Sequence, residues 1–229
     1  GPPREKSENN NLFVSLETIK READIITIHT PLTKDGEFKT FHLLDDDFFS
    51  SLTQKPIIIN SARGGIIETN AIKHALKQGL ISGAVIDCWE NEPDIDTEYM
   101  NMVDIATPHI AGYSADGKAN ATRMSLESIA DFYHLDKTII NTVKPPAPSD
   151  FIIDLSAFDN RSRIEDTILT TYNPVGDYDR LKAAPDTFKQ LRNEYPLRRE
   201  YLAYTVKNAT EIETHLLALL GFITTNQGD

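Results

Sequence analysis

Four short apolar runs, separated by stretches with helical periodicity, constrain the fold of this 229-residue chain more than any other feature. Each run is almost continuously hydrophobic, as expected for strands of a parallel sheet that is covered on both faces. Between the runs, residues 16–23 and 70–80 have the spacing of amphipathic helices. This alternation predicts right-handed βαβ units, and therefore an α/β fold with a doubly wound sheet. The runs are residues 25–28, 57–59, 84–86 and 104–106.

Three polar residues follow the last three of these runs in order: Arg63, Glu92 and His109. Ligands of doubly wound sheets bind outside the carboxyl ends of the strands, so these side chains are expected at one site. An arginine can bind a carboxylate with two parallel hydrogen bonds, and a histidine can exchange a proton with a hydroxyl group. A glutamate beside the histidine orients it and favours its charged form. Together they are the groups that oxidation of a 2-hydroxy acid requires.

These residues belong to six segments whose order and spacing resemble the D-isomer-specific 2-hydroxyacid dehydrogenases. One segment alone would be a weak signal, but six in register, including the 29 positions from Arg63 to Glu92, are specific. The resemblance also covers the Pro-Pro-Arg sequence at residues 2–4. The segments are 23–24 (Ala-Asp), 29–32 (His-Thr-Pro-Leu), 60–64 (Asn-Ser-Ala-Arg-Gly), 83–87 (Gly-Ala-Val-Ile-Asp), 92–93 (Glu-Pro) and 107–112 (Thr-Pro-His-Ile-Ala-Gly).

The resemblance implies roles for individual residues and the cofactor NAD. It implies the C-terminal half of a Rossmann-type nucleotide-binding domain, with Arg63, Glu92 and His109 as the catalytic residues. Substrate contacts are expected from Arg63 and His109, and also from Tyr113, which follows the last segment. The glycines after Arg63 suggest a close approach of a ligand to the backbone. Cofactor contacts are expected from Thr30, Pro31, Ser61, Ala62, Arg63, Asp87, His109 and Gly112.

The chain divides into three parts on composition and pattern. Residues 1–112 form the partial NAD-binding domain, and residues 113–145 comprise a long helix from about 114 to 135 and the start of a proline-rich linker at 144–149. Residues 146–229 resemble the C-terminal dimerisation domain of one branch of the family, which most members lack. That resemblance implies a homodimer through residues after about 146, and a small phosphorylated 2-hydroxy acid as substrate.

The tail itself predicts a small α+β domain. Strands are expected at 151–155 and 199–204, and helices at 163–170 and 186–193. Asn208 with Glu211 has the spacing of a capping box, which would open a final helix that ends near Gly221. About 80 residues provide a small hydrophobic core, so pairing with a second copy would add stability.

Composition limits the partners and the location. The net charge of −12 argues against nucleic acid and against an anionic membrane surface. No apolar run approaches the roughly 20 residues that span a bilayer. Cys88 is the only cysteine, which excludes an intrachain disulfide and is consistent with the cytoplasm. Histidines other than His109 lack partners at metal-ligand spacing, so no metal site is predicted.

The glycine-rich turn that normally holds the pyrophosphate does not occur in the sequence. The chain is therefore expected to be the C-terminal part of a longer enzyme and inactive by itself. Two alternatives stay open: another D-2-hydroxyacid dehydrogenase of the phosphoglycerate or glycerate type, or a non-catalytic dimerisation module. An active chain would have to recruit the missing cofactor-binding half, whereas a module would need only to dimerise. A dehydrogenase-like corepressor is disfavoured, because nothing resembles a partner-docking sequence.

Overall fold

The computed structural model describes residues 13–159 and 161–225, so the Pro-Pro-Arg sequence at 2–4 lies outside the described residues. The chain folds into two compact units. The first contains the chain up to Ile110 together with Pro174–Glu194, and the second contains Ala111–Asn173 and the chain from Tyr195 onward. No helix in the described ranges is long and apolar enough to cross a bilayer.

A four-stranded parallel sheet forms the centre of the first unit. Its strands are β1 (Ile25–Ile28), β2 (Ile57–Asn60), β3 (Gly83–Ile86) and β4 (Ile105–Ala106), and they lie in that order across the sheet. All neighbouring pairs are parallel. The predicted α/β class and all four strand positions are therefore confirmed. The carboxyl ends of the four strands lie along one edge of the sheet.

Helices that connect or follow these strands bury their apolar faces in one core. These helices are α2 (Asp46–Ser50), α3 (Thr69–Gln78) and α4 (Thr97–Met102), whereas α1 (Leu16–Glu22) precedes β1 and has no buried residue. In α3, the fully buried Ala71, Ile72 and Ala75 form the face towards the core. The helix ends at Gly79, whose φ of 65° is the left-handed conformation that glycine adopts without strain.

Residues 174–194 also pack in the first unit. They form α7 (Pro174–Ala183) and α8 (Phe188–Asn193), and Leu181 and Phe188 are buried in the same hydrophobic core as β2 and β3. The sequence analysis placed this stretch in the C-terminal domain and did not identify α7. The assignment differs because Leu181 and Phe188 are buried by side chains far away in the sequence.

The second unit combines one long helix with a small parallel sheet. The helix, α5 (Ala115–Tyr133), covers most of the predicted range. The strands β5 (Ile152–Asp154), β6 (Thr205–Lys207) and β7 (Ile223–Thr224) are parallel and adjacent in that order. Two further helices complete the unit, α6 (Arg163–Thr171) and α9 (Glu211–Leu220).

Two predictions for the tail are wrong in detail. The expected strand at 199–204 is a 3₁₀ turn at Tyr201–Ala203, and the strand follows at Thr205–Lys207, where the chain pairs with β5. The capping box consists of Thr210 and Glu213, two residues after the predicted pair. The final helix, however, ends at Gly221 as predicted, with a φ of 100°.

Candidate active site

The turn after β2 carries Arg63, and a buried asparagine holds it. Asn60 is 1% exposed, and its side-chain amide donates to the backbone carbonyl of Arg63 at 3.1 Å. The amide oxygen of Asn60 accepts a hydrogen bond from the backbone N–H of Ala62 at 3.1 Å. The Arg63 side chain is exposed, and its Nη1 donates to the carbonyl of Ala62 at 2.7 Å. The guanidinium therefore keeps most of its donors for an anionic ligand.

Gly64 is required by the chain's own backbone. A Cβ on Gly64 would lie 1.9 Å from the carbonyl oxygen of Trp89 and 2.5 Å from the backbone nitrogen of Glu90. We had expected this glycine to admit a ligand. Instead, its missing side chain lets the turn after β2 pack directly against the turn after β3, which brings Arg63 and Glu92 to one edge of the sheet.

The turn after β3 places Glu92 through a local hydrogen bond. Oε1 of Glu92 accepts from the backbone N–H of Trp89 at 2.8 Å. The indole N–H of Trp89 donates to the carbonyl of Thr107 at 2.9 Å, so this turn is also connected to the end of β4. The Trp89 ring is buried and packs edge to face on Tyr99 at a centroid distance of 5.1 Å.

Glu92 and His109 form a direct pair. Nδ1 of His109 lies 2.8 Å from Oε2 and 3.1 Å from Oε1 of Glu92. A carboxylate accepts hydrogen bonds, so Nδ1 of His109 carries the donated hydrogen and Nε2 stays available for proton exchange. The His109 side chain is 26% exposed and that of Glu92 is 18% exposed, which leaves the pair accessible but partly shielded from water.

Asp87 determines where the backbone around His109 runs. Its Oδ1 accepts from the hydroxyl of Thr107 at 2.6 Å and from the backbone N–H of Ile110 at 2.7 Å. His109 lies between these two contacts in the left-handed region, with a φ of 55°. Asp87 is 6% exposed, so its carboxylate is largely committed to the protein. Its expected contact with the cofactor stays a prediction.

Glu90, the nearest acidic alternative to Glu92, has other partners. Its carboxylate accepts from Nε2 of His42 at 2.8 Å and from the backbone N–H of Thr69 at 2.9 Å. Burial alone would raise the pKa of Glu90, but these hydrogen bonds outweigh burial and lower the pKa. The structure therefore places Glu92, rather than Glu90, against the imidazole of His109.

Two cavities open at the carboxyl ends of the strands, and Arg63 lines both. One, of about 300 Å³, contains Arg63, Glu92 and His109 together with Lys34, Phe41 and Trp89. The other, of about 550 Å³, is lined by the predicted cofactor contacts Thr30, Pro31, Ser61 and Ala62, along with His29 and Leu32. A reaction between a small acid in the first cavity and a ligand in the second would therefore occur beside Arg63.

Gly112 and Tyr113 lie in the second compact unit and are described there by themselves. A Cβ on Gly112 would have no heavy atom within 4 Å. The ring of Tyr113 packs edge to face on Tyr195 at 5.9 Å, and Nζ of Lys118 lies 4.3 Å from its centroid. Their predicted contacts with cofactor and substrate stay predictions.

One group of potential metal ligands occurs in the described part of the chain. Atoms of Cys88, Glu92 and His109 lie within 4.8 Å of one another. Burial and the neighbouring Asp87 carboxylate raise the pKa of the Cys88 thiol, which disfavours the thiolate that binds a metal. Glu92 and His109 also already share a hydrogen bond. The predicted absence of a metal stays a prediction.

Three residues that position the site were not predicted from the sequence: Asn60, Trp89 and Thr107. Asn60 offered a local signal, since asparagine directly after an apolar run is typical of a turn in which the side chain bonds to the backbone. Trp89 and Thr107 act across 18 positions of sequence, and no local pattern reports that contact.

Two parts of the chain match known protein families. Residues 2–111 match the family described as D-isomer specific 2-hydroxyacid dehydrogenase, NAD binding domain. This part of the chain belongs to that dehydrogenase family. Residues 147–221 match a domain of unknown function, DUF3410, so the tail corresponds to a separate recognisable domain.

Relatives that share both parts of the chain include erythronate-4-phosphate dehydrogenases. The one from Bacteroides thetaiotaomicron is 54% identical over 204 residues, which cover 89% of this chain and 56% of the relative. The one from Porphyromonas gingivalis is 44% identical over 223 residues, which cover 97% of this chain and 60% of the relative. The chain is thus homologous to these dehydrogenases and spans somewhat more than half of their length.

Among solved structures, D-lactate dehydrogenase with NAD⁺ from Lactobacillus jensenii matches at 27% identity and a TM-score of 0.46. That match covers 55% of this chain and 41% of the solved chain.

Proposed function

We propose that the protein oxidises 4-phospho-D-erythronate at C2 with NAD, giving 2-oxo-3-hydroxy-4-phosphobutanoate for pyridoxal phosphate biosynthesis in the cytoplasm. The observation that carries this proposal is the 2.8 Å contact between His109 and Glu92 in the cavity that Arg63 also lines. The choice of substrate rests on the homologous erythronate-4-phosphate dehydrogenases, which share the tail as well as the site.

The chain's residues divide the work of this reaction. His109 accepts the proton of the C2 hydroxyl at Nε2, because Nδ1 is held by Glu92. Glu92 stabilises the imidazolium that results from this transfer. Arg63 binds the substrate carboxylate with the donors that its contact to Ala62 leaves unused, and it polarises the developing carbonyl.

Residues around the larger cavity suit the nicotinamide half of NAD. Thr30, Pro31, Ser61 and Ala62 follow β1 and β2 at the edge where doubly wound sheets bind nucleotides. NAD, when bound, supplies the acceptor for the hydride from C2. We assign Asp87 to the nicotinamide carboxamide and Gly112 to the close approach of the ring, and Tyr113 to the substrate.

We further propose that the protein is a homodimer through residues after about 146. The supporting observation is the apolar face of α9. Ile212 and Leu219 are 73% and 72% exposed there, and Leu216 and Leu220, on the same face, are 41% and 44% exposed. Exposed apolar side chains at this spacing are typical of helices that pack on a partner. Replacing Ile212 and Leu219 by glutamate should raise the dimer dissociation constant at least about 100-fold in sedimentation equilibrium.

Phe132→Glu is the matched control for dimerisation, because Phe132 is also apolar and 77% exposed but lies in α5, before residue 146. The control should leave the dissociation constant within about threefold. A monomeric wild type, or equal effects of both changes, would contradict the assigned interface.

The catalytic proposal is tested with the product of the natural gene. NADH absorbance is followed with 4-phospho-D-erythronate, D-glycerate and D-3-phosphoglycerate. In a parallel assay a 2-oxo acid is added as acceptor for tightly held NADH, and the oxidised product is measured directly because NADH then does not accumulate. Turnover that is selective for 4-phospho-D-erythronate supports the proposal. Preference for another acid keeps the roles of Arg63, Glu92 and His109 but contradicts the substrate, and a dimer without any turnover would identify an assembly module.

A further inference from the structure

The smaller cavity contains a second cation that the roles above do not use. Lys34 lines it together with Arg63, Glu92 and His109. Within the part of the chain that the structure describes, the ammonium group of Lys34 forms no hydrogen bond or ion pair. The two acidic residues of the lining are already engaged, Glu92 with His109 and Glu90 with His42. Lys34 and Arg63 therefore offer free positive charge to a ligand.

The loop that carries Lys34 is closed at its base by Thr40. The hydroxyl of Thr40 donates to the carbonyl of Pro31 at 2.6 Å and accepts from the backbone N–H of Thr33 at 2.8 Å. The backbone N–H of Thr40 returns to the carbonyl of Thr33 at 2.9 Å. These three bonds fix the backbone on the N-terminal side of Lys34, so its position at the cavity is built into the fold.

The part of the cavity wall formed by Phe41 is also fixed. Phe41 stacks on His42 with a centroid distance of 3.8 Å, and His42 is held by Glu90. A Cβ on Gly65 would touch the Phe41 ring at 3.4 Å, so the wall is closely packed. At about 300 Å³, the cavity has the volume of the smallest ligand pockets and suits a short-chain acid.

The two cations differ in what they bind well. A guanidinium presents a planar fork that matches a carboxylate, whereas an ammonium is a compact charge that pairs with the tetrahedral phosphate group from many directions. A four-carbon acid with a carboxylate at one end and a phosphate at the other would meet both. We propose that Lys34 binds the substrate phosphate and determines the preference for a phosphorylated acid, an inference that rests on the proposed function.

The test compares two substrates that differ only in the phosphate, 4-phospho-D-erythronate and D-erythronate, in the natural gene product and in its Lys34→Met variant. Loss of a charge-assisted contact predicts that kcat/KM for the phosphorylated acid falls about 10- to 100-fold, mainly through KM. For D-erythronate, kcat/KM should change less than about twofold. Inorganic phosphate should inhibit the wild type competitively, and it should inhibit the variant much less.

Lys39→Met is the matched control. Lys39 lies on the same loop, but its Nζ lies 5.7 Å from the centroid of the Phe41 ring, and Lys39 does not line the cavity. Both kcat/KM values should stay at the wild-type level in this variant. A separate readout is the rise in Tm on addition of 4-phospho-D-erythronate, which should be smaller in Lys34→Met than in Lys39→Met.

The outcomes separate this inference from the proposed function. If the wild type prefers the phosphorylated acid and Lys34→Met leaves that preference intact, or reduces both substrates equally, the assignment of Lys34 is overturned while the function stands. If the wild type uses both acids equally well, the proposed substrate is overturned. If the wild type shows neither turnover nor a ligand-dependent Tm shift, both are overturned.

Discussion

Oδ1 of Asp87, at the end of β3, accepts a hydrogen bond of 2.6 Å from the hydroxyl of Thr107, at the end of β4. The same oxygen accepts the backbone N–H of Ile110, so the carboxylate spans the turn that holds His109. The position of the imidazole is therefore decided by the neighbouring strand as much as by its own segment. This relationship makes Asp87 a positioning residue for His109, whatever it also contributes to a cofactor.

Removing the hydrogen bonds that Asp87 accepts from Thr107 and Ile110 should destabilise the first unit. Thr107→Val deletes one hydrogen bond to a charged acceptor, which predicts a loss of about 1.5–3 kcal/mol in the free energy of unfolding. Asp87→Ala should cost more, because it leaves two buried donors without an acceptor. Urea unfolding followed by the fluorescence of Trp89, the single tryptophan, reports on this unit. A stable Asp87→Ala protein with weakened NAD binding alone would instead indicate a role confined to the cofactor.

Glu92 and Glu90 should differ sharply in their effect on activity. Glu92→Gln removes the charge that stabilises the His109 imidazolium, so we expect kcat/KM of the natural gene product to fall by about 100-fold or more. Glu90→Gln is the control, since its carboxylate contacts His42 and Thr69 instead of His109. Its effect on kcat/KM should be at least about tenfold smaller. Equal losses in the two variants would refute the assignment of the histidine partner.

The close approach at Gly64 predicts a cost for a single methyl group. In Gly64→Ala the new Cβ would meet the Trp89 carbonyl at 1.9 Å, and the backbone of both turns would have to separate. We expect a loss of about 1–3 kcal/mol in unfolding free energy by urea titration. Gly112→Ala is the control, because open space surrounds that position, and its stability should stay within about 0.5 kcal/mol. If Gly112 admits the nicotinamide ring, the control should lose NAD affinity without losing stability.

The second unit should be stabilised by an ion pair in a pH-dependent manner. Asp116 and Arg199 are each only 9% exposed at the side chain and are joined by contacts of 2.8 and 3.0 Å. Burial opposes ionisation of Asp116, but hydrogen bonds from Arg199 and from the backbone of Glu200 outweigh it and lower the pKa of Asp116. Because the folded pKa is the lower one, this stabilisation is complete above the unfolded value of about 3.8 and is lost as the pH falls below it.

Arg199→Met should therefore destabilise this unit by about 3–5 kcal/mol at pH 7, since it leaves a buried carboxylate unpaired. The difference between wild type and variant should narrow when the pH is lowered through 3.8. The second unit includes no tryptophan, so the fluorescence of Trp89 does not report on its stability. Its stability is therefore measured by amide hydrogen exchange of α5 and α6. If wild type and Arg199→Met differ in unfolding free energy by the same amount at pH 7 and below pH 3.8, the guanidinium acts through packing rather than charge.

Local pattern identified the first sheet, and the resemblance to a known family selected the polar residues at its edge. Residues 57–59 and 84–86 are apolar without interruption, and residues 25–28 are apolar except for Thr27. Such runs are typical of buried parallel strands, and each lies within an observed strand. The six family segments selected Arg63, Glu92 and His109, and the parallel topology predicted that they would lie together, because the carboxyl ends of parallel strands meet at one edge. The end of α3 at Gly79 and the end of α9 at Gly221 could be predicted for the same local reason, the left-handed conformation that glycine tolerates.

Only the tertiary structure decided the features that depend on distant partners. Residues 174–194 join the first unit because Leu181 and Phe188 are buried in a core whose other buried residues lie between Ile28 and Ala106. The strand at Thr205–Lys207 lies where β5 and β7 offer hydrogen-bonding groups, beyond the segment with the stronger local pattern. The hydrogen bonds of Asp87 and Trp89 to Thr107 form when turns from different strands come together. Strand and helix periodicity is a property of neighbouring residues, whereas burial and hydrogen-bond pairing are set by residues that only folding brings into contact.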